Sequence, residues 1–421
     1  MMIRTALRCT ILGVGLGGLC ATANAGELIQ VIYSEVPGHP TAAVPGARNL
    51  AGELVDTEFK ALESLNFSAD GTQWILESRN QLGSDLETQL LMGTGMSGEM
   101  LAQEGQPVVD GAPGEVYDFM DGVAGFNDMG HFAFGARARG GDFDTKEKVI
   151  KYDGKFEIVV QESDPAKGLE DDPGNVQGDE LIGNSINSIH LLNDGSVGFV
   201  NLAIKNIHSS YRPALFYDTT AFAQSNVTPL GDSVWEDFDS DGFFTTPDGK
   251  DWIAVGNQAG SGFFGPEVLG VNGEVAILED EPLGKDTVGG VFNANLRADG
   301  TWFARGEYTN EDVWAVRNGE ILAVTGDPIT TGGKETWSDS FSAVTGNRNG
   351  DWIIAGKTSE TGLGGTVEID DVVVLNGEQV VVREGDPVDL NGDGMANDDA
   401  FIGRGDPTSS AFRPDQFFLS D

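Results

Sequence analysis

A turn signal recurs through the chain, and each copy precedes a short apolar run. An Asp-Gly or Asn-Gly pair, or a close variant, gives six turn glycines spaced 50 to 65 residues apart: Gly71, Gly130, Gly195, Gly249, Gly300 and Gly350. A large apolar residue follows each glycine by two or three positions: Trp74, Phe132, Val197, Trp252, Trp302 and Trp352. Four of the seven tryptophans therefore share one slot. Repeats of this length are typical of solenoids, propellers and arrays.

The fifth repeat indicates what one unit contains. Four apolar-rich runs are predicted as strands, at residues 291–297, 301–308, 312–317 and 320–325. Asn-Gly and Asp-Gly pairs mark hairpins, because both central residues of a type I′ turn need positive φ. Four short antiparallel strands per repeat are the content of one propeller blade. We therefore predict an all-β protein, a β-propeller of four-stranded blades, with a solenoid of stacked hairpins as the alternative.

The other repeats follow this template. Their hairpins between third and fourth strands are predicted at Ser97-Gly98, Asp153-Gly154, Asn272-Gly273, Asn318-Gly319 and Asn376-Gly377, and the third repeat has Tyr217-Asp218-Thr219 there. A signature related to Glu-Gly-Asp-Pro ends five fourth strands, at residues 104–107, 162–165, 279–282, 325–328 and 384–387. Its proline is predicted to end the strand and to prevent pairing along the outer edge.

The two ends of the chain are predicted to share one further blade. Residues 27–35 read as an isolated fourth strand, and residues 412–421 read as an isolated first strand. A blade built from both termini is a usual way to close a propeller ring. The predicted architecture is six full repeats plus a partial seventh blade.

The first 25 residues are predicted to be a secretory signal peptide. Arg4 and Arg8 form a basic start, an apolar stretch spans residues 9–20, and Ala23-Asn24-Ala25 fits a cleavage site. The apolar stretch is shorter than the ~20 residues that a membrane span requires. We expect residues 26–421 to form a single propeller domain without a membrane span, secreted or held at a bacterial cell surface. Both cysteines lie in the signal, so the mature chain has no thiol chemistry.

The charge balance excludes one class of partner. The net charge is −42, and loss of the signal makes it more negative by two. Such a chain repels nucleic acid and anionic membranes and attracts cations. Solubility, or adaptation to salty surroundings, explains the acidity equally well. The expected partner is an extracellular glycan or protein.

An acidic insertion at about residues 388–411 is the strongest candidate for a chemical site. It looks like an EF-hand or dockerin calcium loop, with oxygen ligands at positions 1, 3 and 5 and a glycine at 6. The predicted ligands are Asp389, Asn391, Asp393, Met395 through its carbonyl, Asn397 and Asp399. Position 12 is Ala400, where the calcium loop usually has an acidic residue. A solvated loop between blades is the alternative.

A second calcium candidate precedes the fourth repeated turn. Asp237, Asp239 and Asp241 alternate ahead of Gly242, and Asp248 stands at position 12. An extended strand between Gly242 and Asp248 would carry the last carboxylate away from the ion. A surface loop is the alternative here as well.

One repeat also carries a family motif. Asn127, Gly130, Ala133 and Ala136 match the pattern Asn-x-x-Gly-x-x-Ala-x-x-Ala, which resembles that of a family of secreted bacterial tandem-repeat proteins. The likeness covers roughly residues 60 to 421. It implies an exported, propeller-like protein of a mostly uncharacterised family, and no catalytic residues.

The residues favour binding over catalysis. The four histidines form no zinc-spaced pair, and the sequence has no nucleophile elbow, phosphate loop or dinucleotide fingerprint outside the signal. We expect a binding or cell-surface structural module stabilised by calcium, with a polysaccharide hydrolase or lyase as the alternative. Trp235 and Trp337 are candidates for stacking on sugars, although packing in the interior is the favoured interpretation.

Cleavage after Ala25 is directly testable. When the full chain is expressed in a bacterium, we expect the exported protein to begin at Gly26, because a small-x-small site precedes it. Intact-mass spectrometry of the exported fraction measures this, and the Ala25→Arg variant serves as a cleavage-blocked control. An exported protein that keeps residues 1–25 would contradict the prediction.

Overall fold

A computed structural model describes residues 9–11, 31–121, 125–171, 176, 178–260, 265–359, 370–396, 398, 400–402 and 419. Regular structure in these ranges is almost entirely strand, with three short 3₁₀ helices at Pro40–Ala42, Phe143–Thr145 and Ser209–Tyr211. Among the described residues, six antiparallel sheets of four or five strands form the blades of a β-propeller, which confirms the predicted fold class. The chain divides into two compact units. The first comprises residues 1–103, 313–315 and 322–421, and the second comprises residues 104–312 and 316–321.

The strands of each blade pair in chain order. A two-stranded sheet comes first, with β1 (Cys9–Ile11) and β2 (Val31–Ser34). The first blade contains β3 (Phe59–Phe67), β4 (Gln73–Asn80), β5 (Thr88–Thr94) and β6 (Ser97–Gln103). The second contains β7 (Val116–Asp121), β8 (Phe132–Arg139), β9 (Glu147–Tyr152) and β10 (Phe156–Gln161). The third contains β11 (Ile186–Leu191), β12 (Val197–Leu202), β13 (Pro213–Tyr217) and β14 (Thr220–Gln224).

Two of the last three blades have an additional two-residue strand. The fourth contains β15 (Pro229–Leu230), β16 (Ser233–Thr245), β17 (Trp252–Gln258), β18 (Glu267–Val271) and β19 (Glu274–Leu278). The fifth contains β20 (Pro282–Leu283), β21 (Asp286–Leu296), β22 (Trp302–Tyr308), β23 (Val313–Arg317) and β24 (Glu320–Val324). The sixth contains β25 (Trp337–Gly346), β26 (Trp352–Thr358), β27 (Asp371–Leu375) and β28 (Gln379–Arg383). The four strands predicted for the fifth repeat are confirmed.

The hairpins between third and fourth strands have the predicted type I′ geometry in the fourth, fifth and sixth blades. Asn318 and Gly319 have φ of +49° and +80°. The amide of Trp302 donates to Asn318 Oδ1 at 2.9 Å, and the amide of Asn318 donates to the Trp302 carbonyl at 2.9 Å. The same two bonds join Asn272 to Trp252, Asn376 to Trp352 and Asp218 to Val197. Asp218, at φ +50°, therefore takes the role of the asparagine in the third repeat, whose next residue, Thr219, is not among the residues with positive φ.

The hairpin predicted at Ser97-Gly98 is wrong, because both residues lie in β6, where Gly98 pairs with Gly93, and the turn is at Gly95-Met96. At Asp153-Gly154 only the glycine has positive φ.

The turns between first and second strands have a different geometry from the one predicted. Gly71 has φ +67°, whereas Asp70 is not among the described residues with positive φ. The amide of Gly71 donates to the Ser68 carbonyl at 2.8 Å, and the other five turn glycines make the equivalent bond. This is a type I turn followed by one left-handed glycine. The loop has three residues in four of the repeats, and four residues between Ser68 and Gln73 and between Thr246 and Asp251.

The turn glycine is required for its φ, and an Asp or Asn of the turn supplies a side-chain oxygen. That residue directly precedes the glycine at Asp70, Asp194, Asp248 and Asp299, and stands three positions before it at Asn127 and Asn347.

The signature that ends each fourth strand connects one blade to the next. The amide of Gly326 donates to the Trp337 carbonyl at 3.0 Å, and the amide of Trp337 donates to the Asp327 carbonyl at 2.9 Å. The same reciprocal pair joins Gly105 and Gln106 to Tyr117, Ser163 and Asp164 to Ile182, Asn226 and Thr228 to Trp235, Asp280 and Glu281 to Val288, and Gly385 and Asp386 to Ile402. The Asp327 carboxylate also accepts the amide of Val324 at 3.0 Å, which caps the strand.

The prediction that proline prevents further pairing is wrong. Pro229 and Pro282 begin β15 and β20, and each of these strands pairs with the first long strand of its own blade. Isolated bridges place Pro328 opposite Thr336 in the same way. Proline lacks an N–H, but its carbonyl still takes part in pairing at a sheet edge.

Aromatic side chains fill the interior of the blades. Trp235 and Trp337 have exposed fractions of 0% and 3%, so the interpretation of these residues as packing residues is confirmed. Trp74 of the repeated slot lies against Gly93 and Gly98, where any Cβ would come within 2.3 Å of its ring. The slot tryptophan and these two glycines, which pair with each other across β5 and β6, therefore fit each other.

The two ends of the chain meet the core of the sixth blade. Val31 of β2 belongs to a cluster with Val373, Val388 and Ile402, and Leu419 packs against it. β2 pairs with β1, with Cys9 opposite Ser34. Residues 412–418 and 420–421 of the predicted seventh blade lie outside the described residues.

The hairpin side chain offers a stability test. Asn318→Ala removes the acceptor of the Trp302 amide and puts alanine, which tolerates the left-handed region less well than asparagine, at positive φ, so we expect a loss of about 1–2 kcal/mol. Asn318→Asp keeps both the oxygen and a tolerated φ, as Asp218 does, and should lose less. Chemical denaturation measures both variants. Equal losses for the two variants would contradict this account of the hairpin.

Candidate functional site

The first predicted calcium loop is organised around Asp389. This carboxylate is 1% exposed. Its Oδ1 accepts the amides of Gly392 at 2.7 Å and Asp393 at 3.2 Å, and its Oδ2 accepts the amide of Gly394 at 2.9 Å. Three N–H donors compensate the burial of the charge. Gly392 and Gly394 have φ of +77° and +85°, which lets the backbone turn around the carboxylate.

The other predicted ligands are arranged around this turn. Asn391 Oδ1 accepts the amide of Asp393 at 2.8 Å, and Asp393 Oδ1 accepts the amide of Met395 at 2.9 Å. The side chains of Asn391, Asp393 and Met395 are exposed. Predicted ligands Asn397 and Asp399 lie outside the described residues. Positions 1, 3 and 5 of the calcium-loop pattern, which are Asp389, Asn391 and Asp393, therefore lie in one compact turn.

Asp398 is a member of the loop that the sequence analysis missed. Its Oδ2 accepts the amides of Leu390 at 2.8 Å and Asn391 at 3.1 Å. Its Oδ1 accepts from the Asn391 side-chain amide at 2.6 Å. This carboxylate closes the loop from the far end, between the two predicted positions 397 and 399. The run Asn397-Asp398-Asp399 was the sequence signal that could have revealed this residue.

The loop is inserted into a connection of the repeated kind. The amide of Gly385 donates to the Ile402 carbonyl at 2.9 Å, and the amide of Ile402 donates to the Asp386 carbonyl at 2.9 Å. Val388 and Leu390 are buried in the core of the sixth blade. The acidic turn therefore extends from an anchored base.

The second predicted calcium loop is a strand with a bulge. β16 runs through Asp237, Asp239 and Asp241, with an irregularity in its pairing between Phe238 and Phe243. Asp248 lies beyond the end of this strand, where Oδ1 accepts from the Thr246 hydroxyl at 2.8 Å and Oδ2 pairs with Lys250. The Lys250 ammonium, with Thr246, lowers the pKa of Asp248 to about 2. The structure places Asp248 in the repeated turn.

Carboxylates crowd one edge of the fourth blade. Burial, and then repulsion from Asp237 and Asp241, raises the pKa of Asp239. Burial raises the pKa of Asp237 as well, with a smaller contribution from Glu236. Glu267 accepts the amide of Val291 at 2.9 Å, and burial together with neighbouring carboxylates raises its pKa. Such crowding favours protons or cations at this edge.

A third acidic group was not predicted from the sequence. Asp370, Asp371 and Glu384 each place one carboxylate oxygen within 4.8 Å of the others. Asp370 also pairs with Lys357 at 3.1 Å. Glu384 is the first residue of the connecting signature, and the equivalent Glu279 accepts the amide of Glu267 at 2.8 Å. The position of Glu384 in the repeat therefore indicates that its carboxylate lies near the start of the third strand, and this was the available sequence signal.

Three histidines have local structural roles. His39 and His208 each cap a 3₁₀ helix, accepting the amides of Thr41 and Ser210 at 3.3 Å. His190 Nε2 donates to the Phe243 carbonyl at 3.0 Å, and burial lowers the pKa of His190 to about 4. These three imidazoles hold the backbone in place.

No family model matches the chain, and no curated protein matches it. Among solved structures, the chain is similar to an oligogalacturonate lyase from Vibrio parahaemolyticus at 11% identity and a TM-score of 0.39, covering 72% of this chain and 76% of that one. It is also similar to a gluconolactonase from Xanthomonas campestris at 12% identity and a TM-score of 0.34, with 75% and 94% covered. The WD40 β-propeller domain of Doa1 matches at 12% identity and a TM-score of 0.33, with 72% and 78% covered. At these values the likeness transfers no activity.

The described part of the chain contains no helix that is long and apolar enough to span a membrane.

The crowded edge of the fourth blade predicts a pH dependence. A carboxyl whose pKa is raised by folding destabilises the fold when ionised, and this penalty is lost as pH falls through the folded pKa. Glu267→Gln should therefore raise the melting temperature at pH 7, and the gain should shrink towards pH 4. Thermal unfolding measures this, with Glu274→Gln on the exposed start of β19 as the control. A gain that does not change with pH would contradict the prediction.

Proposed function

We propose that this chain is an exported, acidic β-propeller that acts as a binding or cell-surface structural module, with calcium bound by the loop after the sixth blade. The observation that carries the proposal is the turn around Asp389, a buried carboxylate held by three backbone amides in an exposed acidic loop. Export rests on the predicted signal peptide.

The donor set of the loop suits a hard divalent cation. Calcium takes six to eight oxygen ligands from carboxylates, amide oxygens, carbonyls and water, at flexible geometry. Asp389, Asn391, Asp393, Asp398 and the Met395 carbonyl are the oxygens that the described loop offers. Bringing them onto an ion requires the Asn391 amide to leave Asp398 and to present its oxygen instead. A cation would then offset the mutual repulsion of three carboxylates.

A bound cation would stabilise the connection as a whole. The loop extends from the base formed by Gly385 and Ile402, and its flanking residues Val388 and Leu390 are part of the core. Ordering the loop therefore restrains the place where the chain leaves the sixth blade. This supports a structural role for calcium.

A binding role is supported by how the blades use their polar groups. Three of the histidines hold backbone amides or carbonyls, and many aspartates cap strands and turns. Loops on a rigid scaffold provide a broad surface for a partner. An extracellular glycan or protein is the partner class that this acidic surface accepts.

Calcium-dependent stability tests the proposal. Residues 26–421 are unfolded thermally with excess calcium and again with a chelator. A site occupied at 100 times its dissociation constant contributes about 2.7 kcal/mol, so we expect the melting temperature to rise by a few degrees with calcium and not with magnesium. Asp393→Ala should abolish the rise.

A matched variant identifies the loop that is responsible. Asp241→Ala removes an exposed carboxylate from the second predicted loop and should leave the calcium-dependent rise intact. A rise lost in Asp241→Ala and kept in Asp393→Ala would assign calcium to the fourth blade instead. No rise in the wild-type chain would overturn the calcium part of the proposal.

A further inference from the structure

A polar cleft of about 180 Å³ lies between the second and third blades. One wall is a row of side chains across three strands, because the register places Phe119 of β7 opposite Arg137 of β8, and Arg137 opposite Glu147 of β9. The other wall is formed by residues 184–187 at the start of β11. Arg137 and Asn184 are exposed, so the cleft is open to solvent.

Arg137 has a guanidinium with few partners. Its Nε lies 3.6 Å from Asp118 Oδ2 and 3.6 Å from Glu147 Oε1, beyond hydrogen-bond distance. The side chain is 48% exposed and makes no hydrogen bond within the described chain. Its five N–H donors therefore remain for a ligand in the cleft.

Other blades use the same strand position differently. Arg79 lies near the end of the second strand of the first blade, and its Nε is 2.8 Å from Glu63. Lys357 lies at the equivalent place in the sixth blade, and its Nζ is 3.1 Å from Asp370. In those blades the cation is part of a close ion pair. The longer distances between Arg137 and its neighbouring carboxylates are therefore specific to the second blade.

The opposite wall is shaped by a bulge. The pairing of β11 with β12 shifts between Asn187 and His190, and Ser188 has φ +49° although it is not a glycine. The Asn187 side chain donates to the Ser185 hydroxyl at 2.9 Å, and the Ser188 hydroxyl donates to the Ser240 carbonyl at 2.8 Å. Bulges and unusual backbone conformations of this kind cluster where side chains are aimed at a ligand.

We propose that this cleft binds one sugar ring of a glycan, with Arg137 as the recognition residue. Sugar hydroxyls both donate and accept hydrogen bonds, and the walls offer donors on Arg137 and Asn184 and acceptors on Glu147 and Ser185. Phe119 adds an apolar surface for the face of a ring. The volume is below the 300–1,000 Å³ that is typical of pockets for larger ligands, so one ring fits rather than a long chain.

The surrounding charges disfavour a phosphate ligand. Asp118 and Glu147 lie beside Arg137, and a doubly charged anion would meet their repulsion. A uronate ring remains compatible, because a single carboxylate accepts two parallel bonds from a guanidinium. The inference rests on the proposed binding function for its partner class, but it is independent of calcium.

Binding of defined trisaccharides tests the proposal. Cellotriose, chitotriose, mannotriose and a uronic-acid trisaccharide are titrated by calorimetry into residues 26–421, once with calcium and once with a chelator. We expect at least one of them to bind, with a dissociation constant of about 1 mM or tighter. Arg137→Ala should weaken that binding at least tenfold. The comparison of neutral and uronate sugars shows whether hydroxyls or a carboxylate are recognised.

Matched variants separate this site from the rest of the protein. Arg79→Ala removes the equivalent arginine of the first blade and should leave binding unchanged, and melting temperatures verify that both variants fold. Asn184→Ala tests the opposite wall and should also weaken binding. Wild-type affinity in a folded Arg137→Ala variant would overturn the cleft assignment while leaving the binding module in place. No binding by the wild-type chain to any trisaccharide would overturn the inference. The calcium experiment tests the proposed function separately, and its result would not be affected.

Discussion

The reciprocal pair of main-chain hydrogen bonds between the connector after each fourth strand and the chain that follows it is the interaction on which the structure depends. One repeat unit cannot bury its hydrophobic face alone, so a blade needs its neighbours. Because the connector amide and carbonyl pair with the incoming strand, the register between consecutive blades is set at one point. Core side chains of the second and third blades share one cluster, and those of the third and fourth share another. The acidic loop after the sixth blade extends from the same pair, between Gly385 and Ile402.

The acidity of the chain has a structural component. Asp164, Asp327 and Asp386 each accept a backbone amide at the end of a fourth strand. Asp70 and Asp194 accept hydroxyl and amide hydrogens within their turns, and these bonds lower the pKa of both residues. Carboxylates are strong acceptors for backbone N–H groups. Part of the net charge of −42 is thus built into the repeat as caps and turns.

The repeat, the four strands and the three Asn-Gly type I′ hairpins were predictable because each rests on residues close together in sequence. The hairpin of the first blade was misplaced by two residues, because Gly98 pairs within β6 instead of turning the chain. The connecting signature was recognised but misinterpreted, since its pairing partner lies on the next blade. The loop at Asp389 was found from its spacing, yet Asp398 was missed because the carboxylate binds back to Leu390 and Asn391. The group of Asp370, Asp371 and Glu384 and the cleft at Arg137 were not predicted, because their members come from different strands.

The sequence by itself determined the turns, since a glycine or asparagine at positive φ and a side-chain oxygen two residues from an amide are local properties of the chain. It also determined the six full repeats, because each of the six described blades repeats those turns. Only the tertiary structure decided which charged side chains are paired. Arg79 and Arg137 occupy similar places in their repeats, but one lies 2.8 Å from a carboxylate and the other 3.6 Å from two. Cross-strand register and bulges set those distances, and both depend on how neighbouring strands pack.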